Sequence, residues 1–275
     1  MTNVLDKPAT LPSLWRVGLA RGGIELKQFF RSKEQVVFTF TFPTLILILL
    51  GSIFDGTFEG TGTTAGQVFA ASMAGSGIIA TSFLNLGIGV TQDRDDRTLK
   101  RLRGAPIPAA AYFVGKIILV MVASIAEVIL LVAVGMVLFD VELPSTADRW
   151  FTFVWVFLLG TISCSLLGIA VSSIAKSAQA AAAVVNLPYV ALQFLSGVYI
   201  PVSQLPDWMI TVGSFFPIKW VAQGFRSVFL PDGAARLEAA GSWEHGKTAL
   251  VLTAWCVIGV VLCLMTFRWT NRKEG

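Results

Sequence analysis

The sequence predicts an all-α, polytopic membrane protein with six transmembrane helices, an N-terminal interfacial amphipathic helix and two short re-entrant helices before the last span. Of its 275 residues, 55% are hydrophobic and 14% are charged, and the mean hydropathy is +0.72. Soluble domains carry about 25% charged residues, so the composition excludes that class. Several apolar stretches also reach the roughly 20 residues that a helix needs to cross a bilayer, without the alternation of membrane strands.

The first 35 residues are predicted to form a cytoplasmic N-terminus and an interfacial helix. Residues 1–12 are polar and are expected to be loose, and no cleavable signal peptide is expected. A basic amphipathic helix is expected over 13–35, because apolar residues recur at helical spacing and basic residues lie off that stripe. The stripe consists of Trp15, Leu19, Leu26, Phe29 and Phe30.

Residues 36–275 are predicted to form one transmembrane domain. Its second helix is rich in Gly and Ala, which permits close packing of helices. The predicted spans are 36–54, 67–91, 111–139, 150–174, 181–200 and 248–269.

The positions of Lys and Arg predict the orientation of these spans. With the N-terminus inside, 16 of the 21 basic residues lie on the inner side and 5 on the outer side. Cytoplasmic loops carry the excess of Lys and Arg, so both termini are expected to be cytoplasmic. The formal charge of +4 reflects these flanks, and nucleic-acid binding is not expected.

A charged segment at 92–106 separates the second span from the third. Eight charged residues lie between positions 93 and 103. Asp95 and Asp96 precede the basic residues, as helix dipoles favour, and Gly104 and Pro106 provide a stop. Leu99 and Leu102 would give this short helix a small apolar face. Such a helix must project into water; the alternative is a solvated loop whose basic residues only fix topology.

The outer stretch at 197–229 is too apolar for a plain loop, yet its prolines divide it into pieces too short to cross the bilayer. Two short helices that dip into the outer leaflet fit best, at about 202–215 and 218–229. Aromatic residues in it suit the membrane interface, namely Trp208, Trp220 and Tyr199.

The spacing of Asp93, Asp95, Thr98, Leu99, Leu102 and Pro106, followed by Gly115-Lys116, resembles the cytoplasmic segment of type-2 ABC exporter permeases. The outer stretch resembles the same family, which includes daunorubicin-resistance-type drug exporters and surface-polysaccharide exporters. One departure is Arg97, where the family usually has Gly. By this resemblance the ATPase-docking residues are Asp93, Asp95, Arg97, Thr98, Leu99, Lys100, Arg101, Leu102 and Pro106, and an exit-side cap is formed around Pro201, Pro206, Trp208, Pro217 and Arg226.

The resemblance implies a multi-pass permease of the bacterial inner membrane. A second permease, identical or not, and two cytosolic ATPase subunits would complete the exporter. ATP and Mg would bind to the ATPases, and no cofactor is expected in this chain. A hydrophobic or amphipathic cargo, drug-like or lipid-like, would move outward between the permeases. A lipid-linked polysaccharide or glycolipid exporter is the alternative; a polytopic membrane enzyme and a proton-coupled transporter are weaker ones.

Residues 241–248, GSWEHGKT, match the Walker A pattern literally. That pattern binds phosphate only where a buried strand feeds the loop, and the preceding residues do not predict a strand. The segment would also lie outside the cell, so we interpret the match as chance. His245 is the only histidine, and the three cysteines fall in predicted spans, so no metal site is expected.

Glu127 lies near the middle of the third span. An ionised carboxylate at that depth costs about 2.5–3.5 kcal/mol on insertion scales, so it must face protein or water, or be protonated. The sequence leaves open a structural hydrogen bond to a neighbouring span or partner subunit and a place in the translocation path. A proton relay is the weakest alternative, because relays need several such groups.

Overall fold

The computed structural model describes residues 13–54, 56–105, 107–108, 110–175 and 177–267. Residues 1–12, Pro106 and the last two residues of the predicted sixth span lie outside this part of the chain. The described residues form a helical bundle with one small antiparallel hairpin, in which Thr57 pairs with Thr64 and Phe58 with Thr63. The all-α prediction is confirmed.

Eleven α-helices and two short strands make up the regular structure of the described residues. A π-helical turn, Ala80–Asn85, joins α3 to α4, and 3₁₀ turns occur at Val202–Gln204 and Asp232–Leu237. The elements in chain order are α1 Leu14–Arg31, α2 Lys33–Ile53, β1 Thr57–Phe58, β2 Thr63–Thr64, α3 Ala65–Ile79, α4 Leu86–Asp95, α5 Thr98–Gly104, α6 Ala110–Phe139, α7 Ala147–Ser172, α8 Ala178–Leu195, α9 Asp207–Ser214, α10 Pro217–Phe229 and α11 His245–Thr266.

Five of the described helical segments are long and apolar enough to cross a membrane. They are Lys33–Ile53, Ala65–Asp95, Ala110–Phe139, Ala147–Ser172 and His245–Thr266. The predicted fifth span corresponds to α8, whose 18 residues make a helix of about 27 Å, slightly short of a hydrocarbon core of roughly 30 Å. The count of six spans therefore stays a prediction.

The second span forms the centre of the bundle. Every residue of α3 except Gln67 is buried, and so is every residue of α10. The two helices approach closely: a methyl group on Gly75 would lie 3.2 Å from the Cα atom of Ala222. Glycine is required at this crossing, because a side chain would push the backbones apart.

The outer stretch differs in detail from its prediction. The expected helix at 202–215 is a 3₁₀ turn followed by the eight-residue α9, because Pro206 lacks the N–H that a continuous helix needs. Trp208 is exposed, as an interfacial residue should be. Trp220 was predicted to lie at the interface and is instead buried, with its Nε1 donating to the Ser214 carbonyl at 2.9 Å.

Candidate functional site

The charged segment forms a short helix, α5, that is set off from α4 by a sharp break. Arg97 makes this break with φ of 60° and ψ of 15°, in the left-handed region that favours glycine. The family resemblance places Gly at this position, and the observed backbone supplies the reason. The predicted helix start is wrong by a few residues: Asp95 is the last residue of α4 and Asp96 caps it, so neither lies in the first turn of α5.

The apolar face of α5 is turned toward the protein's own spans. Leu99 is fully buried in a small cluster, and Leu102 packs against its edge. The other buried members of the cluster are Leu86, Val90, Tyr112, Val120 and Ile169. The two leucines therefore fix α5 to α4, α6 and α7, rather than offering an apolar anchor to another protein.

The outward face of α5 is basic. Lys100, Arg101 and Arg103 are exposed, whereas Thr98 is half-buried. Arg101 Nη2 donates to the Asp96 carbonyl at 3.2 Å, which ties α5 back to the end of α4. A partner that meets this helix would meet positive charge.

A buried network of ion pairs connects the middle of α1, the last turn of α4 and the first turns of α6. Lys116 Nζ lies 2.8 Å from Glu25 Oε2 and 2.6 Å from Asp93 Oδ2. Arg21 Nη2 pairs with Glu25 Oε1 at 2.6 Å, and the Tyr112 hydroxyl donates to Asp93 Oδ2 at 2.9 Å. Of these residues the sequence interpretation assigned Asp93 to docking and placed Lys116 in the family motif. It missed Arg21, Glu25 and Tyr112.

Helix α1 packs on α6 through small residues. Methyl groups on Gly18 and Gly22 would lie 2.6 Å from side-chain atoms of Val114 and Ile118, respectively. The Gly-x-x-x-Gly spacing was the available signal for this contact.

The predicted apolar stripe of α1 divides between two environments. Phe29 is buried beside Glu25, and Leu26 is half-buried. Trp15, Leu19 and Phe30 are exposed, with Trp15 at 69%. An exposed stripe of large apolar side chains agrees with the expected place of this helix at a membrane surface.

The helix that precedes α5 is anchored to the end of α7. Arg94 is buried and its Nη1 donates to the Ser172 carbonyl at 3.2 Å, while Thr91 Oγ1 donates to the same oxygen at 3.3 Å. Both donors satisfy a carbonyl that the last turn of α7 leaves without an intrahelical partner. Helix α4 thus reaches α1, α5, α6 and α7 near its C-terminal end.

Comparison with known proteins assigns this architecture to a family. The sequence profile of the ABC-2 type transporter family matches residues 23–230. The chain belongs to the ABC-2 type transporter family. A curated relative from Bacillus subtilis (strain 168), named "Putative transport permease YvfS", is 22% identical over 250 residues, which cover 91% of this chain and 95% of the relative. The chain is therefore a multi-pass membrane permease of an ABC transporter, and the family implies ATPase subunits as partners.

Glu127 of this ABC-2 permease is fully buried beside the backbone of α3. A methyl group on Gly77 would lie 2.8 Å from Glu127 Cγ, so the absence of a side chain at Gly77 provides the space for the carboxyl group. Within the described residues neither carboxyl oxygen has a hydrogen-bond partner. The predicted structural hydrogen bond was to a neighbouring span or a partner subunit; the described spans do not supply it, and a bond to a partner subunit stays a prediction.

At the end of the bundle away from α5, the ABC-2 permease is clamped by Arg226. Its Nε lies 2.5 Å from Glu238 Oε1, and its Nη1 donates to Ser72 Oγ at 3.1 Å and to the Gly197 carbonyl at 3.3 Å. Helix α10, α3 and the loop after α8 are thereby joined. Nearby, burial lowers the pKa of Lys219, which donates to Ser214 Oγ at 2.8 Å.

The remaining predicted cap residues bound the short outer elements. Pro201 and Pro206 flank the 3₁₀ turn at Val202–Gln204, and Pro217 is the first residue of α10. Pro217 suits that place, because the first turn of a helix needs no N–H from it. These residues shape the cap, while Arg226 holds it to the bundle.

The Walker A-like segment lacks the geometry of a phosphate loop. A 3₁₀ turn at Asp232–Leu237 precedes it, and α11 begins at His245, inside the motif. Lys247 Nζ pairs with the carboxylate of Glu244 one turn earlier. Lys247 therefore lies in the first turn of an ordinary helix and not in a phosphate-binding loop.

Proposed function

We propose that this chain is the membrane-spanning subunit of an ATP-driven exporter. A second permease, identical or related, and two cytosolic ATPase subunits that bind ATP and Mg complete the transporter. The observation that carries the proposal is α5, a short helix with a basic outward face and an inward face locked into the spans. We expect this helix to be the ATPase contact.

The contacts of α5 suggest how the motion of an ATPase reaches the spans. Leu99 lies among residues of α4, α6 and α7, so a displacement of α5 acts on three helices at once. Asp93, five residues before Thr98, is linked through Lys116 to Glu25 on α1. In this proposal α1 and α5 move together as the ATPases close.

The proposed cargo is hydrophobic or amphipathic and leaves the cell. The excess of basic residues on one side supports an orientation in the bacterial inner membrane with both termini in the cytoplasm and the Arg226 clamp on the outer side. A drug, including an antibiotic in the manner of daunorubicin-resistance exporters, is the first candidate. A lipid-linked saccharide or glycolipid is the alternative cargo.

The docking role is tested by reversing the charge of the outward face of α5. The triple variant Lys100→Glu, Arg101→Glu, Arg103→Glu leaves Leu99 and Leu102 in place. The tagged permease is purified from its native membrane, and the Walker-motif ATPase recovered with it is quantified. We expect recovery to fall about tenfold or more, because like charges facing each other cost several kcal/mol at an interface.

The matched control is the double variant Arg236→Glu, Lys247→Glu, which reverses exposed charges at the other end of the molecule. It should recover the ATPase like the unmodified permease. Undiminished ATPase recovery and transport in the triple variant would show that α5 is only a topological loop.

Direction and cargo are tested with inverted membrane vesicles, to which ATP is added from outside. The transported probes are an anthracycline, a lipophilic cation and a fluorescent glycolipid. An exporter concentrates its cargo inside such vesicles. Accumulation of the glycolipid alone would favour the alternative cargo, and ATP-dependent loss of probe from the lumen would contradict export.

A further inference from the structure

A cavity of about 150 Å³ lies between α1, α2, α4, α6 and the π-helical turn. Three exposed glutamines stand at its mouth, and buried residues form its floor. The glutamines are Gln28, Gln35 and Gln92, and the floor includes the buried Thr81 and Ala123, with the half-buried Asn85 beside them. The space is about that of an engineered cavity that holds a six-membered ring.

The depth of the cavity places it inside the membrane. Lys116 and Ala123 both line it, and they follow the start of α6 at Ala110 by 6 and 13 residues. At 1.5 Å per residue these positions lie about 9 and 20 Å from the inner end of a helix about 45 Å long. The cavity therefore spans the half of the bilayer that the charge distribution assigns to the cytoplasmic side.

The charged wall of the cavity is internally neutralised. Glu25, Lys116 and Asp93 line it, and their charges are paired with one another and with Arg21. A charged ligand would have to displace one of these pairs, and breaking a buried pair is costly. The wall thus disfavours both anions and cations while remaining polar.

The other polar lining groups are the Thr81 hydroxyl and four carboxamides, which both donate and accept hydrogen bonds. Asn85 uses one donor for Thr39 Oγ1 at 3.0 Å, its one hydrogen bond among the described residues. The π-helical turn carries both Thr81 and Asn85 to this side, and such turns often occur at functional sites. Phe29, Leu119 and Val120 supply the apolar lining.

We infer that this cavity binds the uncharged, hydrogen-bonding head of an amphipathic molecule from the inner half of the membrane. A hydroxyl-rich ring, such as a sugar, has the size and the hydrogen-bonding capacity that the lining provides. The identification of this molecule as cargo rests on the proposed function. A resident lipid with the same head is the other source of this chemistry.

The test is photolabelling of the purified permease in phosphatidylcholine vesicles, with no ATPase present. The probe is an octyl glucoside with a diazirine beside the head group. We expect the label on peptides that contain the cavity residues of α2, α4 and α6. Unlabelled octyl glucoside should compete at least about tenfold better than octyl sulfate or octyl trimethylammonium, because each of these two charged compounds must disrupt an ion pair in order to bind.

Two variants and one matched control locate the site. Ala123→Phe fills the floor and should remove the specific label, whereas Ala133→Phe adds the same side chain to an exposed position of the same helix and should not. Gln35→Leu, at the exposed mouth, should weaken labelling about fivefold, the factor for one lost hydrogen bond. Since Gln35 is exposed, this second variant remains informative if Ala123→Phe fails to fold.

Label spread over the lipid-facing helices, equal competition by charged heads, or unchanged labelling in both folded variants would overturn the inference. The assembled transporter then separates the two sources. Added cargo should change the rate of ATP hydrolysis by the transporter in a saturable manner, and Ala123→Phe should abolish this change. A resident lipid should label the site without changing the rate of ATP hydrolysis. Because labelling needs no ATPase, its failure beside intact export would refute the site and leave the proposed function standing.

Discussion

Lys116 Nζ lies 2.6 Å from Asp93 Oδ2, in a buried ion-pair network beside α5. The pair joins the start of α6 to the helix that leads into α5, and Glu25 extends it to α1. Three elements that are distant in the sequence therefore depend on one ammonium group. These ion pairs tie the charged segment to α1 and α6.

Removal of that ammonium group should destabilise the permease strongly. Lys116→Met leaves the carboxylates of Glu25 and Asp93 without their shared cation, and breaking a buried ion pair costs about 3–5 kcal/mol. The apparent melting temperature in detergent should fall clearly. Lys247→Met is the matched control, since Lys247 is exposed and its pair with Glu244 is worth at most about 1 kcal/mol. Equal melting temperatures for the two variants would contradict this role of Lys116.

The contact between α1 and α6 should be sensitive to a single methyl group. In Gly22→Ala the new Cβ would lie 2.6 Å from Ile118 Cδ1, and overpacking of this kind costs about 1–3 kcal/mol. Gly23→Ala meets nothing within 4 Å and should be neutral or slightly stabilising, because Ala favours helix. Thermal unfolding of the two adjacent variants measures the difference. A Gly22→Ala protein as stable as Gly23→Ala would show that α1 does not pack tightly here.

The sequence predicted the features that depend on periodicity and composition. The apolar runs predicted the long helices closely, and the charged interval predicted a short helix between the second and third spans. Arg97 marks the limit of this reasoning. Its left-handed backbone could be suspected only from the family's Gly, because nothing local to Arg requires that conformation.

Side-chain partners across the bundle could not be predicted. Glu25 is one acid in a basic helix, and its pairing with Lys116, 91 positions away, depends on the rotation of two helices about their axes. Leu99 was expected to face a partner protein, but α5 packs with this side chain fully buried in the small cluster formed with α4, α6 and α7. Helical spacing identifies which residues share a face, whereas packing decides what that face meets.

The outer clamp should depend on Arg226. Arg226→Met leaves Glu238 buried without its cation, which should cost about 3–5 kcal/mol and free the loop at 230–244. Arg236→Met is the control: it removes an exposed guanidinium ten residues away and should change stability by about 0.5 kcal/mol or less. Thermal unfolding and limited proteolysis at the outer face test both. Unaltered protease resistance in Arg226→Met would show that the clamp is held by packing alone.

Glu127 should tolerate an apolar replacement, in contrast to Glu25. Within the described residues the carboxyl oxygens of Glu127 have no hydrogen-bond partner, so Glu127→Leu removes an uncompensated polar group, and Glu127→Gln should be similarly stable. Glu25→Leu instead leaves Arg21 without its ion pair and Lys116 with Asp93 as its one remaining carboxylate among the described residues, and should lower the melting temperature. A large loss of stability in Glu127→Leu would reveal a partner, for example on a second permease. Normal stability with lost transport would favour the translocation path.

The break before α5 should accept glycine and reject a β-branched residue. At φ of 60°, the Cβ of Arg97 destabilises the fold by roughly 1–2 kcal/mol, and Arg97→Gly removes this cost. The same substitution destabilises the fold by about 0.5–1 kcal/mol, because glycine gives the unfolded chain more conformational entropy. The two effects nearly cancel, so Arg97→Gly should recover the ATPase and transport as the unmodified permease does. Arg97→Val removes the same charge but clashes in the left-handed region, and should lower ATPase recovery by misdirecting α5. If Gly and Val reduce ATPase recovery equally, the guanidinium of Arg97 is the contact; if Val alone reduces it, the backbone direction of α5 decides docking.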